Sequence, residues 1–286
     1  MKPSEQLQWE ARNGPKAAAA AFGCGAFTLV SLVIQLAFVG GGGGNERDGL
    51  VRIHENQGEL LLSLVAQALS VFLLIGALFY LVRGVMARRP EGLKFLWPLM
   101  ALAPVLLMVG AVLTQLDLGD IANEFVSQGH QTNARAKDLI DGRDAASGIV
   151  ASVGTLCLAL SYVLVSVNAM RAGLLSRFMG ILGIIAGALL VIPLLPGGGS
   201  FIQLFWIVAL GVLFLDRWPN GRGPAWSAVE RIPWPTAAEI RSLGASKSGP
   251  ETDLPPPPPP PPAGEHNASE KPAQLRSSRK KKKRKR

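Results

Sequence analysis

Six apolar runs occupy most of residues 17–216, at 17–39, 59–82, 95–116, 145–170, 178–195 and 201–215, and none carries a charged side chain in its middle. A helix needs about 20 such residues to cross about 30 Å of hydrocarbon. Inside lipid the backbone must satisfy its own hydrogen bonds, and the helix is the form that lets one run do so alone. The expected fold is therefore all-α, a polytopic membrane helix bundle with six transmembrane helices. A composition of 49% hydrophobic and only 17% charged residues agrees, as does a mean hydropathy of +0.28. A soluble domain of this length would space its apolar residues periodically rather than string them into unbroken runs.

The net charge of +9 is a property of one short segment, since Arg279, Lys280, Lys281, Lys282, Lys283, Arg284, Lys285 and Arg286 are consecutive and the remainder carries only +1. The rest of the chain has no basic face. Loop charge sets the expected orientation. Lys2, Arg12, Lys16, Arg83, Arg88, Arg89, Lys94, Arg171 and Arg177 fall on the side of the termini, against Arg47, Arg52, Arg135, Lys137 and Arg143 on the other. The excess of cations places both termini in the cytoplasm of a plasma-membrane protein. Trp97 and Trp218 stand at helix ends on that side, as members of an aromatic belt.

The chain divides into a polar segment at 1–16, the six-run region at 17–217, a membrane-proximal collar at 218–243 and a tail at 244–286. The first run is longer than a signal-peptide core and has no small-x-small site after it, so an uncleaved anchor is expected. Gly40 to Gly44 form a flexible loop without the Lys-Ser/Thr of a phosphate cradle. Pro90 ends the second helix and Pro104 kinks the third. The long segment Asp117–Asp144 carries Leu118, Ile121, Phe125, Leu139 and Ile140, which suit short amphipathic helices on the membrane surface. Trp218, Trp226 and Trp234 of the collar suit the headgroup zone.

The tail has the composition of disorder. Pro255 to Pro262 make a polyproline spacer of about 25 Å. The basic block after it binds polyanions, either anionic lipid of the inner leaflet or RNA of a ribosome through phosphate contacts. It has no interleaved aromatic residues, so sequence-specific nucleic-acid binding is not expected. The sequon at Asn267 lies on the wrong side of the membrane for glycosylation.

Within the runs the main polar groups are the amides of Gln35, Gln67, Gln115 and Gln203. They either line a polar pocket toward the external side or pair between helices, where such bonds contribute about 0.6–2 kcal/mol each. Gly183 and Gly187 form Gly-x-x-x-Gly, which suits close packing inside the bundle or, as the alternative, a homo-oligomer contact. Cys24 and Cys157 are expected as small buried apolar residues. His54, His130 and the carboxylate pairs Glu55/Glu59 and Asp120/Glu124 complete no zinc set, and no metal, cofactor or catalytic motif is implied.

The stretch Arg171-Ala172-Gly173-Leu174-Leu175-Ser176-Arg177, leading into a glycine-rich run, and Leu215-Asp216-Arg217-Trp218-Pro219-Asn220-Gly221 resemble features of a group of bacterial multi-pass membrane proteins of unassigned function. The resemblance covers about residues 17–240 and implies topology and packing rather than an activity. The basic block also looks like the ribosome-contacting tails of membrane insertases, but no run here carries their intramembrane arginine. The expected function is non-enzymatic: a membrane protein that organises partners or lipids, with its basic tail as an electrostatic tether. The alternatives are a carrier for a small neutral or amphipathic solute and, third, a lipid-modifying enzyme using Asp117 and Asp120.

Overall fold

The structure, a computed structural model, describes residues 2–38, 45–89, 95–192, 198–219, 221–232 and 234, with backbone alone at 198–200. The loop at Gly40–Gly44, turn residues Pro196 and Gly197, the collar beyond 234, the proline run, the sequon and the basic block Arg279–Arg286 lie outside the described residues.

Among the described residues eight α-helices follow in chain order: α1 (Pro3–Phe38), α2 (Glu46–Glu55), α3 (Gln57–Arg88), α4 (Leu96–Ser127), α5 (Asn133–Asp141), α6 (Ala146–Ala172), α7 (Arg177–Val191) and α8 (Gly198–Phe214). Helices α1, α3, α4 and α6 are long and apolar enough to cross a membrane. The expected fifth and sixth runs are shorter helices, 15 residues in α7 and 17 in α8, or about 22 and 25 Å at about 1.5 Å per residue.

The helices neighbour one another in a closed ring, α1 to α3, α4, α6, α7, α8 and back to α1, with α3 also touching α6 across the middle. Short connections make sequential helices antiparallel neighbours, the low-cost topology for such a chain. Close backbone approach tightens the α4–α6 pair: a Cβ at Gly154 would stand 2.7 Å from the Leu107 nitrogen, and one at Gly110 2.6 Å from the Ala151 nitrogen. Without a hydrophobic drive between helices in lipid, such close fits hold the pair together.

Two helices extend past the apolar runs. Helix α1 starts at Pro3, so the polar segment before residue 17 is helical and continuous with the first apolar run. Its Ala-rich sequence favours helix, and its buried Gln6, Glu10 and Gly14 have partners to pack against. Helix α4 passes without a break through Pro104 and continues to Ser127, carrying Asp117, Asp120 and Glu124 on its outer turns. There Ala122 and Phe125 meet Leu50 of α2 and Ala136 of α5 in a small satellite core. The amphipathic helices expected in 117–144 are thus the end of α4 plus α5, and they pack on α2 as well as on each other.

The sequence stretch 171–177 stops one helix and starts the next. Gly173 takes φ +83°, which glycine adopts without strain. The Leu174 amide donates back to the Ala169 carbonyl, 2.9 Å, a C-cap geometry. Leu174 and Leu175 are fully buried. Ser176 caps α7 by accepting from the Met179 amide at 3.2 Å.

Candidate functional site

Between α1 and α3 the interface is polar. Cys24, Thr28, Ser31 and Gln35 recur at intervals of four, three and four residues and so share one face of α1. Ser63, Gln67 and Ser70 do the same on α3. Thr28 and Ser70 both donate to the Cys24 carbonyl, at 2.9 and 3.0 Å, and their hydroxyls are 2.7 Å apart. About two turns along from Cys24 and Ser70, the Ser31 and Ser63 hydroxyls are 2.9 Å apart. The Gln35 amide donates to both, at 3.4 and 3.3 Å.

This ladder forms one wall of a cavity. Its outer part, about 380 Å³, lies near α2 and is walled by Gln35, Ser63, Gln67, Thr114 and Gln115 among leucines, with Ile53 of α2 at the rim. Its inner part, about 330 Å³, shares Leu32, Gln35 and Gln67 with the outer one and continues past Cys24, Ser31 and Ser70 to Thr155 of α6, Leu190 of α7 and Gln203 of α8. Among the described residues no acidic or basic side chain lines either part. The structure therefore brings the four sequence-selected glutamines to two adjoining clefts, Gln115 in the outer, Gln203 in the inner, and Gln35 and Gln67 in both. Gln203 donates to the Tyr162 hydroxyl at 3.0 Å. Among the described residues the amides of Gln67 and Gln115 have no protein hydrogen-bond partner. Each offers two donors and an acceptor to whatever occupies the space.

The opposite end of the ring is closed. Arg88, at the end of α3, is buried and pairs with Glu10 of α1 through Nη1 to Oε1 at 2.7 Å and Nη2 to Oε2 at 3.0 Å. Its Nε donates to the carbonyls of Ala225 and Ala228 in the collar, at 2.9 and 3.1 Å. Gln6 donates to Glu10 Oε1 at 2.9 Å, and the Tyr80 hydroxyl to the Glu10 carbonyl at 3.0 Å. Tyr80 stacks between Trp9 and Trp226, with ring centroids 5.6 and 5.7 Å away. The Trp226 ring N–H donates to the Leu174 carbonyl at 2.9 Å. Arg222 lies over the same ring at 5.3 Å and bonds the Leu213 and Phe214 carbonyls at the end of α8.

Burial changes the picture of two residues. Arg88 is not a flanking surface cation, because Glu10 and three carbonyls, those of Gly84, Ala225 and Ala228, satisfy its guanidinium inside the fold. Trp226 of the collar does not stand free, because a 3-10 turn at Pro224–Ser227 folds it into the core. Trp97 stays near its helix end, against Phe79 at 5.0 Å, and donates to Met86 Sδ at 2.9 Å.

Gly183 and Gly187 face inward. A Cβ on Gly183 would meet Ser166 and the Trp206 ring, and one on Gly187 would stand 2.8 Å from the Ala159 carbonyl oxygen. Cys24 is buried in the polar ladder, and Cys157 is half-buried. His54 lies 2.8 Å from the Asn123 amide oxygen, joining α2 to α4. Asp117 and Asp120 stand on the outer turns of α4, and among the described residues neither makes a hydrogen bond or ion pair.

Sequence reasoning selected the glutamines one by one and passed over the hydroxyls between them. The signal was present in the four-three-four spacing of Cys24, Thr28, Ser31 and Gln35. The Glu10–Arg88 pair carried no comparable signal, since the partners are separated by 78 residues.

No family model, curated protein or solved structure matches this chain.

Proposed function

We propose that this chain is a six-helix plasma-membrane protein, with both termini cytoplasmic, that binds and carries a small neutral amphipathic molecule in the cavity between its helices. The observation that carries this reading is the convergence of Gln35, Gln67, Gln115 and Gln203 on two adjoining clefts whose described lining is uncharged and has leucine as its most frequent residue. Pockets of about 300–1,000 Å³ with apolar walls and a few placed polar groups are the usual form of a small-molecule site. A charged ligand would lose its hydration there without a counter-charge. A neutral one with a few hydroxyl or amide groups would pair them with Gln67 and Gln115. Transport coupled to protons or ions normally uses ionisable groups within the membrane, so movement here would follow the gradient of the solute itself. On this reading the α2 end is the open mouth, and the Glu10–Arg88–Trp226 cluster keeps the cytoplasmic end shut.

The test is native mass spectrometry of the full chain released from its own lipid, followed by the Gln67→Leu, Gln115→Leu double variant. A neutral molecule retained by the parent and lost from the variant supports the reading. Equal retention, or none in the parent, removes the cavity from the argument.

A second reading rests on the run of eight cations at Arg279–Arg286. In it the protein organises partners, and the block tethers it to anionic lipid or ribosomal RNA. Such binding weakens steeply with salt. Replacing four of the lysines with glutamine and finding unchanged, salt-insensitive association would end it.

A further inference from the structure

The collar end also holds a second cleft, on the outside of the ring. It has a volume of about 320 Å³ and is lined by Met170 and Arg171 of α6, Arg177 and Ile181 of α7, and Arg231 and Trp234 of the collar. Three guanidinium groups therefore border one small space. Among the described residues none of the three makes an ion pair. Arg231 Nε donates to the Arg171 carbonyl at 3.0 Å, which fixes the collar to the last turn of α6. Its terminal nitrogens take no partner among the described residues. The ring N–H of Trp234 is buried and likewise has no partner among them. A buried indole donor without an acceptor is costly, and native structures rarely leave one so.

The apolar part of the surface gives the ligand a direction. Arg177, Ile181 and Ile185 are spaced at i, i+4 and i+8 on α7, hence on one face. Ile181 and Ile185 are 52% and 43% exposed, an outward apolar track that starts at the arginine. A cationic pocket at the head of such a track matches a molecule with an anionic head and hydrocarbon chains. Arginine suits phosphate because its planar fork can give two parallel hydrogen bonds. An RNA phosphate would have no use for the isoleucine track, and a free phosphate would leave it empty.

We propose that the cleft formed by Arg171, Arg177, Arg231 and Trp234 holds the phosphodiester headgroup of one anionic phospholipid, with its chains along Ile181 and Ile185. This site is separate from the basic block at Arg279–Arg286. It is built by three ordered elements, whereas the block is a run of adjacent cations.

The experiment uses the full chain in nanodiscs of phosphatidylcholine containing a minority of phosphatidylglycerol, with lipid retained after release counted by native mass spectrometry. The expected result is one phosphatidylglycerol retained per chain. The Arg177→Gln, Arg231→Gln double variant should lower that retention by about tenfold or more. Trp234→Phe removes the ring N–H together with the five-membered ring that carries it and should lower it by about fivefold, which keeps the proposal testable if the double variant does not fold. Lys281→Gln with Lys283→Gln removes the same charge from the basic block and should leave retention unchanged. The proposal is overturned if the arginine pair or Trp234 can be changed without loss. It is also overturned if the lysine changes abolish retention, or if millimolar inorganic phosphate displaces the lipid.

Discussion

Arg88 closes on Glu10 with two parallel hydrogen bonds, Nη1 to Oε1 at 2.7 Å and Nη2 to Oε2 at 3.0 Å, and both side chains are shielded from solvent. The pair joins the start of α1 to the end of α3, and Arg88 extends the connection to the collar through the carbonyls of Ala225 and Ala228. One guanidinium thus ties three separate stretches of chain at the closed end of the ring.

Removing one partner leaves the other charged and buried. Arg88→Met should cost about 3–5 kcal/mol. The double variant Glu10→Gln, Arg88→Met should cost less than Arg88→Met alone, because no unpaired charge remains. Denaturation of the purified chain in mild detergent checks this. A double variant weaker than the single one would show that the Glu10 carboxylate stabilises the fold without Arg88, through contacts such as that from Gln6.

Glycines of α6 should respond by what lies opposite them. A side chain at Gly154 would press on the α4 backbone, with the Leu107 nitrogen 2.7 Å from its Cβ, and backbone cannot step aside. Gly154→Val should destabilise by about 1–3 kcal/mol or more. Nothing lies within 4 Å of a Cβ at Gly148, so Gly148→Ala should be neutral or gain about 0.5–1 kcal/mol. Thermal midpoints of the two variants decide, and similar values would contradict the α4–α6 packing.

The hydroxyl pair Ser31 and Ser63 should behave as a unit. Each alanine substitution should cost about 0.6–2 kcal/mol. The two together should cost less than their sum, since the first already breaks the shared 2.9 Å contact. Strict additivity in a double-mutant cycle would mean that the two hydroxyls are not coupled.

Glu46, in the first turn of α2, has its carboxyl held below the ordinary value of 4.5 by its own backbone N–H, then by the Asn133 side chain and the charge of Lys137. A depressed acid contributes stability above its unfolded pKa and loses it as pH falls through the lower folded value. The attachment of α2 to α5 should therefore loosen as the pH falls below the ordinary carboxylate value. Hydrogen exchange of the α2 amides between neutral and acid pH measures it. Glu46→Gln should flatten the change, and an identical acid response in that variant would assign it to other carboxylates.

The long helices were legible because a run of apolar residues has few ways to exist in a membrane protein. The glutamines were legible because an amide in such a run is conspicuous. Serine and threonine are not, since they can bond their own helix, as Thr155 does with the Ala151 carbonyl at 2.9 Å. What turned Ser63 and Ser70 into parts of a wall was the register of α3 against α1. Arg88 read as one of several basic residues at a helix end for the same reason. Nothing local distinguishes it from Arg89, which among the described residues reaches the Asn168 amide oxygen, at 3.5 Å.

The sequence by itself determined the class of the molecule: helical, suited to a membrane, with charges kept to the ends of its apolar runs and a basic segment set apart from them. Hydrocarbon imposes that pattern one segment at a time. Only the tertiary structure decided that the helices close into a ring, that four distant amides line two adjoining clefts, and that Glu10, Arg88 and Trp226 come together at the end of α3. Those outcomes depend on which faces meet, and small residues such as Gly110, Gly154, Gly183 and Gly187 settle that by letting particular backbones approach.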